Sequence, residues 1–395
     1  MALLGFLLPI FFIFLGFGEV LRINLSLQVS SGLIDLVILV IIFIWLFFIK
    51  KNNYELGKAF LIFFIFALIS LLINILNYTG NQLLISSMYL VRFTFYASLY
   101  FVFVDIGRIY KSVIPKLMFF SGLIFLLVGL FQFFLFKDLR QFYYLGWDLH
   151  LNRLFSTFFD PNFAGAFLVL ILIFSFILKD IIFPKDWKIV PYIFLIINFL
   201  AIILTYSRGA YLMLFISILA YSFITGKWKI LIGFVVSLIL IFIILSPKFE
   251  LESTNLLRTA SIEKRLESTN TAISIWRDSP MGVGFNTYRY ARESFDNNAN
   301  SKGNRMSNAG AGVDNSFVFV LVTAGILGFL SYAYLIFKIL KLGYRNMHKN
   351  KYAMVLIISA IGLVANSFTL NSLFYSFLML WMFVLVGFTE SSLHE

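Results

Sequence analysis

The chain has 395 residues, of which 61% are apolar and only 13% charged, with a mean hydropathy of +0.93. That balance lies outside the soluble globular range and fits a polytopic membrane protein. The formal net charge of +12 argues for membrane topology and against nucleic acid as a partner, because most of the excess falls in short loops that would face anionic headgroups. No cysteine occurs, which excludes disulfide, thiol and cysteine–metal chemistry.

Runs of about twenty apolar residues predict an all-α protein with about twelve transmembrane helices. In chain order they fall at roughly 2–18, 32–49, 57–76, 83–104, 116–136, 163–178, 188–206, 208–225, 229–246, 315–337, 352–368 and 371–388. The first lacks a basic flank and a small-residue cleavage site, so it reads as a retained helix. Between the ninth and tenth spans comes the one long polar excursion, residues 247–313, with nine Lys/Arg and seven Asp/Glu. A loop of that length in a bundle of short connections is expected to be functional. The expected organisation is therefore helices 1–9 over 1–246, the loop over 247–313, and helices 10–12 with a short tail over 314–395.

Counting Lys and Arg in the short loops puts sixteen on one side and five on the other (Arg22, Lys137, Arg140, Arg153, Arg208). The positive-inside rule then sets both termini in the cytoplasm and the long loop outside.

With that topology, three helices running inward open on polar clusters at the same face. These are Phe159-Asp160-Pro161-Asn162, Thr205-Tyr206-Ser207-Arg208-Gly209-Ala210 and Val313-Asp314-Asn315-Ser316. Two readings fit. Asp, Asn and Ser cap orphan N–H groups, and helix N-termini gathered at one face form a site for an anion such as a pyrophosphate. Arg208 sits in a short turn where an arginine is costly unless it snorkels or binds.

Arg92 lies near the middle of the fourth span, with Asp35 in the second as its expected partner, either as a structural pair or as part of a site. Inside the loop, Leu257, Ile262, Leu266, Ile273 and Trp276 recur at helical spacing, and Ser279-Pro280 ends the pattern before Met281-Gly282-Val283-Gly284. On that helix Arg265 borders the apolar stripe, Arg258 lies seven residues earlier on the same side, and Lys264 points to solvent. Arg289, Arg292 and Glu293 follow, then an Asn-rich tract from Asn297 to Gly312 that reads as mobile.

At these residues the chain resembles the O-antigen polymerase and O-antigen ligase family of membrane glycosyltransferases. The matching pieces are TYSRGAYL (Thr205–Leu212), the loop helix with Arg265 leading to SPMGVGFNTY (Ser279–Tyr288), and DNSFVFVLVTAGILG (Asp314–Gly328), with a weaker match at NRLFSTFFDPN (Asn152–Asn162). The resemblance implies a GT-C type helical fold acting on undecaprenyl-pyrophosphate-linked glycans at the outer face of the bacterial cytoplasmic membrane. It implies that Arg208 and Arg265 clamp the diphosphate leaving group. In the ligases a His precedes the Asn that opens the helix after the loop; here that position is Asp314, which favours the polymerase branch and makes Asp314 the expected base. Arg153, Asn162, Arg258, Arg289, Asn315 and Arg92 complete the expected substrate-binding set. No cofactor or metal is implied, since no Asp-x-Asp motif or His cluster appears. Expected partners are the lipid bilayer, the lipid-linked glycans, a chain-length regulator and a flippase.

A ligase and a lipid-linked oligosaccharide flippase are the rival functions. A transporter is expected to show internal repeats and broken helices, and no repeat is evident in the sequence.

The absence of native cysteine makes the topology directly testable. A Ser301→Cys protein in intact cells should react with a membrane-impermeant maleimide, whereas Lys185→Cys should react only after permeabilisation.

Overall fold

The computed structural model describes residues 2–24, 30–140, 150–245, 254–256, 259–298 and 312–393. Twelve apolar helices span α1 (Ala2–Phe17), α2 (Leu33–Phe48), α3 (Gly57–Ile73), α4 (Gly80–Ile106), α5 (Ile114–Leu135), α6 (Pro161–Ile177), α8 (Val190–Leu204), α9 (Arg208–Thr225), α10 (Trp228–Leu245), α13 (Ser316–Asn346), α14 (Lys351–Ser367) and α15 (Ser376–Leu393). Each overlaps one of the twelve predicted spans, with α13 running on to Asn346 and α15 shifted to Ser376–Leu393. Three further helices are α7 (Lys179–Ile182), α11 (Ala260–Asp278) and α12 (Tyr288–Asn298). Among the described residues the only sheet is a short hairpin pairing Arg22–Asn24 with Ser30–Gly32. The chain is an all-α, multi-pass membrane protein.

The connections segregate into two sets. At one end Lys351 pairs with Asp180 at 3.0 Å and Arg345 approaches Glu55 at 3.9 Å. Buried carboxylates tie the same end together: Asp105 accepts from Trp45 Nε1, Tyr54 and Asn52, and Glu390 accepts from Tyr100 and the Glu55 amide. The opposite end carries the long loop and every polar helix opening singled out above.

Helices pack along pairs α4/α15, α3/α13, α9/α14 and α1/α5. Small residues permit the approach: a Cβ on Gly165 of α6 would stand 2.6 Å from the Ala210 Cβ of α9, which holds the starts of these two helices side by side. On the outside of the bundle, Phe47, Phe134 and Phe223 are exposed as lipid contacts.

Two irregular stretches at the loop end are buried within protein. The first is the segment before α6. Ser156, Thr157 and Phe158 are fully buried, Phe158 stacks on Phe377 at 4.9 Å and meets Phe125 at 4.4 Å, and Thr157 donates to Gly16 O. Buried Gln132 of α5 satisfies the backbone there, accepting from the Phe155 and Ser156 amides and donating to Phe136 O and Arg153 O. The second is a break inside α13 at Gly325, which has φ 70° and ψ −174°.

The long loop fills that break. The Val283 amide donates to Val322 O at 2.9 Å, Gly284 N to Thr323 O at 3.0 Å, and Ile326 N to Pro280 O at 3.3 Å. From the other side Ser70 donates to Thr323 O, Asn74 to Gly282 O and Tyr78 to Val283 O. Freed carbonyls in a membrane helix must find donors within the protein, and the Met281-Gly282-Val283-Gly284 turn with α3 supplies them. A Cβ on Gly325 would collide with Met281 C and O, and one on Gly282 would press on the α13 backbone. No local pattern along the tenth span signals this interruption. Unlike the broken helices of transporters, this one is occupied by the chain itself.

Gly325→Ala should therefore destabilise the protein by roughly 2 kcal/mol or more, through a forbidden backbone conformation and loss of the plug contact. Thermal unfolding in detergent, compared with Gly233→Ala in α10, where an added Cβ meets nothing within 4 Å, measures it.

Candidate active site at the helix openings

Each of the three polar openings is capped by its own side chain. Asp160 Oδ1 accepts from the Asn162 amide at 2.6 Å, Ser207 Oγ from Ala210 N at 3.3 Å, and Asn315 Oδ1 from Phe317 N and Val318 N at 2.9 and 3.1 Å. Asp160 is thus a cap, one of the two readings. Asp314 is not: Asn315 takes that duty, and Asp314 stands half-buried one residue before that cap.

The turn carrying Arg208 is built by Arg153. Its side chain is buried, with Nε donating to Thr205 O at 2.8 Å and Nη2 to Tyr206 O and Asn162 Oδ1 at 3.3 Å. Ser207 Oγ also donates to Asn162 Oδ1 at 3.2 Å. Tyr206 adopts φ 48°, an uncommon backbone for a tyrosine, and the Arg153 clamp on its carbonyl holds it there. The turn reverses the chain between α8 and α9 and presents Arg208 at the first position of the helix. Arg153 and Asn162, expected to bind substrate, form hydrogen bonds to this turn.

Arg265 lies within electrostatic reach of Arg208, and Arg208 Nη1 reaches Leu256 O at 3.4 Å. Arg265 is half-buried while its neighbour Lys264 is exposed, as the helical wheel indicates. The stripe of α11 differs in one respect: Ala272 and Ile275 are buried against Phe319 and Val322 of α13, but Ile262 and Leu266 are exposed. Only the C-terminal half of α11 rests on the bundle, leaving the turn bearing Arg265 projecting toward α9. Arg258 and Leu257 lie outside the described residues, as does most of the Asn297–Gly312 tract.

Arg92 and Arg289 form a different neighbourhood. Arg92 Nη2 pairs with Asp35 Oδ2 at 2.7 Å, the expected partner, and the guanidinium lies 5.7 Å from the Tyr89 ring. Asp35 also accepts from Tyr96, Ser31 Oγ and Gly32 N, so four donors surround it and it closes the first turn of α2. Arg289 is half-buried on α12 beside Tyr290, which is within electrostatic reach of Tyr89.

Sequence reasoning missed the segment that joins the three openings, Asn366–Tyr375 between α14 and α15. A Cβ on Gly209 would lie 3.1 Å from Asn366 Nδ2, and one on Gly312 3.5 Å from Asn371 Nδ2. Asn315 Nδ2 donates to Phe368 O, Leu373 N donates to Ser316 Oγ, and Tyr375 stacks on Phe163 of α6 at 3.9 Å. Burial, with the Glu19 and Asp160 carboxylates nearby, pushes the Tyr375 phenol well above its ordinary value and keeps it neutral. The available signal was the polar run Asn366-Ser367-Phe368-Thr369-Leu370-Asn371-Ser372 between two apolar helices.

Residues 193–333 match the family model for O-antigen ligase. The match supports a relation of this stretch to the O-antigen ligase/polymerase family. It runs from α8 into α13 and contains Arg208, Arg265 and Asp314, while Arg92, Arg153, Asn162 and the Asn366–Tyr375 segment lie outside it. No curated protein matches the chain. That similarity supports a general enzyme role in membrane glycan processing.

If Arg153 serves the turn, Arg153→Leu should cost about 2 kcal/mol or more of stability by leaving buried carbonyls unpaired. Arg208→Leu should leave the unfolding midpoint nearly unchanged. Thermal unfolding of both proteins in detergent separates the two roles.

Proposed function

We propose that the protein is a polysaccharide polymerase joining undecaprenyl-pyrophosphate-linked oligosaccharide repeat units at the outer face of the bacterial cytoplasmic membrane. The observation that carries this reading is that the start of α9 places Arg208 within electrostatic reach of Arg265. Two like charges held together at a helix N-terminus repel unless an anion lies between them. A diphosphate supplies that anion, and guanidinium groups match its oxygens bidentately.

In the reaction the growing glycan on its lipid diphosphate is the donor. The hydroxyl oxygen of an incoming lipid-linked repeat unit attacks the anomeric carbon, and the bond from that carbon to the diphosphate oxygen breaks. The leaving oxygen takes the electron pair, and Arg208 and Arg265 stabilise its charge as it develops. Asp314, released from capping by Asn315, accepts the hydroxyl proton. Charge stabilisation is thereby assigned to arginine and requires no metal. A chain-length regulator and a flippase that delivers the repeat units are the expected partners.

A ligase reading draws on the description of the matching family model. It uses the same clamp with a different acceptor; Asp314 in the position where the ligases have His weighs against it.

Arg208→Ala or Arg265→Ala, present at normal membrane levels, should lower polymer formation by about 10²-fold or more. Asp314→Asn should do likewise, and full activity of that variant would remove it as the base. Glycan profiling of a deletion strain separates the functions. A single repeat unit left on the carrier supports polymerase, finished polymer left on lipid supports ligase, and repeat units retained inside support flippase.

A further inference from the structure

Five polar side-chain atoms in one ten-residue segment lack any hydrogen-bond partner although they are withdrawn from solvent. They are in Asn366 (both Oδ1 and Nδ2), Asn371 (Oδ1), Ser372 (Oγ) and Tyr375 (OH), making five open positions in four side chains. Asn366 is only 1% exposed. An unsatisfied buried polar atom is costly, and a cluster of them calls for an explanation. Their location is specific. Asn366 abuts Gly209, the neighbour of Arg208, and Asn371 abuts Gly312, two residues from Asp314. The segment therefore extends from the diphosphate clamp to the base.

The chemistry of the open positions narrows the ligand. A phosphate diester oxygen only accepts, so it satisfies Asn366 Nδ2 but neither Asn366 Oδ1 nor Asn371 Oδ1, which require donors. A hydroxyl both donates and accepts, and adjacent hydroxyls on a sugar ring match both edges of one carboxamide. Hydroxyls are likewise natural partners for Ser372 and Tyr375.

Resting on the glycosyl-transfer reading above, we propose that Asn366, Asn371, Ser372 and Tyr375 form the subsite for the sugar bonded directly to the diphosphate, the unit that is transferred. In transfer from a lipid diphosphate this sugar lies between the leaving oxygen and the incoming hydroxyl, and the segment lies between the residues assigned to those two atoms. The subsite recognises hydroxyl groups, so it selects which glycan is polymerised, while the arginines hold any lipid diphosphate.

Asn366→Leu and Asn371→Leu test this, because leucine keeps the branched heavy-atom skeleton and removes the open polar atoms. The probes are undecaprenyl diphosphate and the lipid-linked glycan extracted from cells lacking the gene, each titrated into purified full-length protein in nanodiscs. Wild type should bind the glycan-bearing lipid about tenfold or more tightly than the bare carrier. Both variants should lose that preference while keeping wild-type affinity for bare undecaprenyl diphosphate, which also shows that they are folded.

Retention of the preference by both variants, or its absence in wild type, would overturn the subsite. Should one variant fail to bind the bare carrier, the other decides. Failure of the clamp reads differently: Arg208→Ala would then bind the bare carrier as wild type does, whatever the sugar preference.

Discussion

No water reaches the hydrocarbon core, so every backbone N–H and C=O that leaves a helix there must be paired by the protein itself. This constraint explains the least regular parts of the molecule. Gln132 is buried in α5 because four backbone groups of the segment before α6 depend on it. The Gly282 turn is pressed into α13 because the break at Gly325 frees groups that α3 and the loop must satisfy together. Arg153 is buried because the reversal between α8 and α9 exposes two carbonyls on the inside of the bundle.

The site inherits its rigidity from these repairs. Arg208 projects from a turn whose carbonyls are clamped, and α11 is carried by the same loop that fills α13, so the two arginines approach from separately anchored elements. A loop tethered only at its ends would not hold two positive charges together. Burial of Ala272, Ile275, Val283 and Phe319 in one small cluster fixes the base of α11.

Much of this was legible in the sequence. Apolar runs twenty residues long have no other stable use, so the twelve helices followed from hydropathy. The α11 helix followed from periodicity, and the Arg92–Asp35 pair followed from the rarity of charge at such depth. The nearness of Arg208 and Arg265 was an expectation carried by resemblance and by the helical wheel. What escaped was the division of labour among polar residues. Arg153 and Arg208 look alike in sequence, yet one is spent on carbonyls within the fold and the other stands beside Arg265. Asp314 and Asn315 are adjacent candidates for one cap, and only backbone geometry assigned it to Asn315. The Asn366–Tyr375 segment carries no charge and drew no notice, although it touches all three helix openings.

The sequence by itself determined the membrane class, the number and approximate places of the apolar helices and the polar openings, because these depend on composition and on spacing along the chain. Tertiary structure alone decided that the loop enters α13, that Arg153 is committed to the turn before Arg208, and that the α14–α15 connection joins the site. Those outcomes depend on contacts between residues up to about two hundred and fifty positions apart, such as Ser70 with Thr323, and no local pattern encodes which distant carbonyl a given side chain must satisfy.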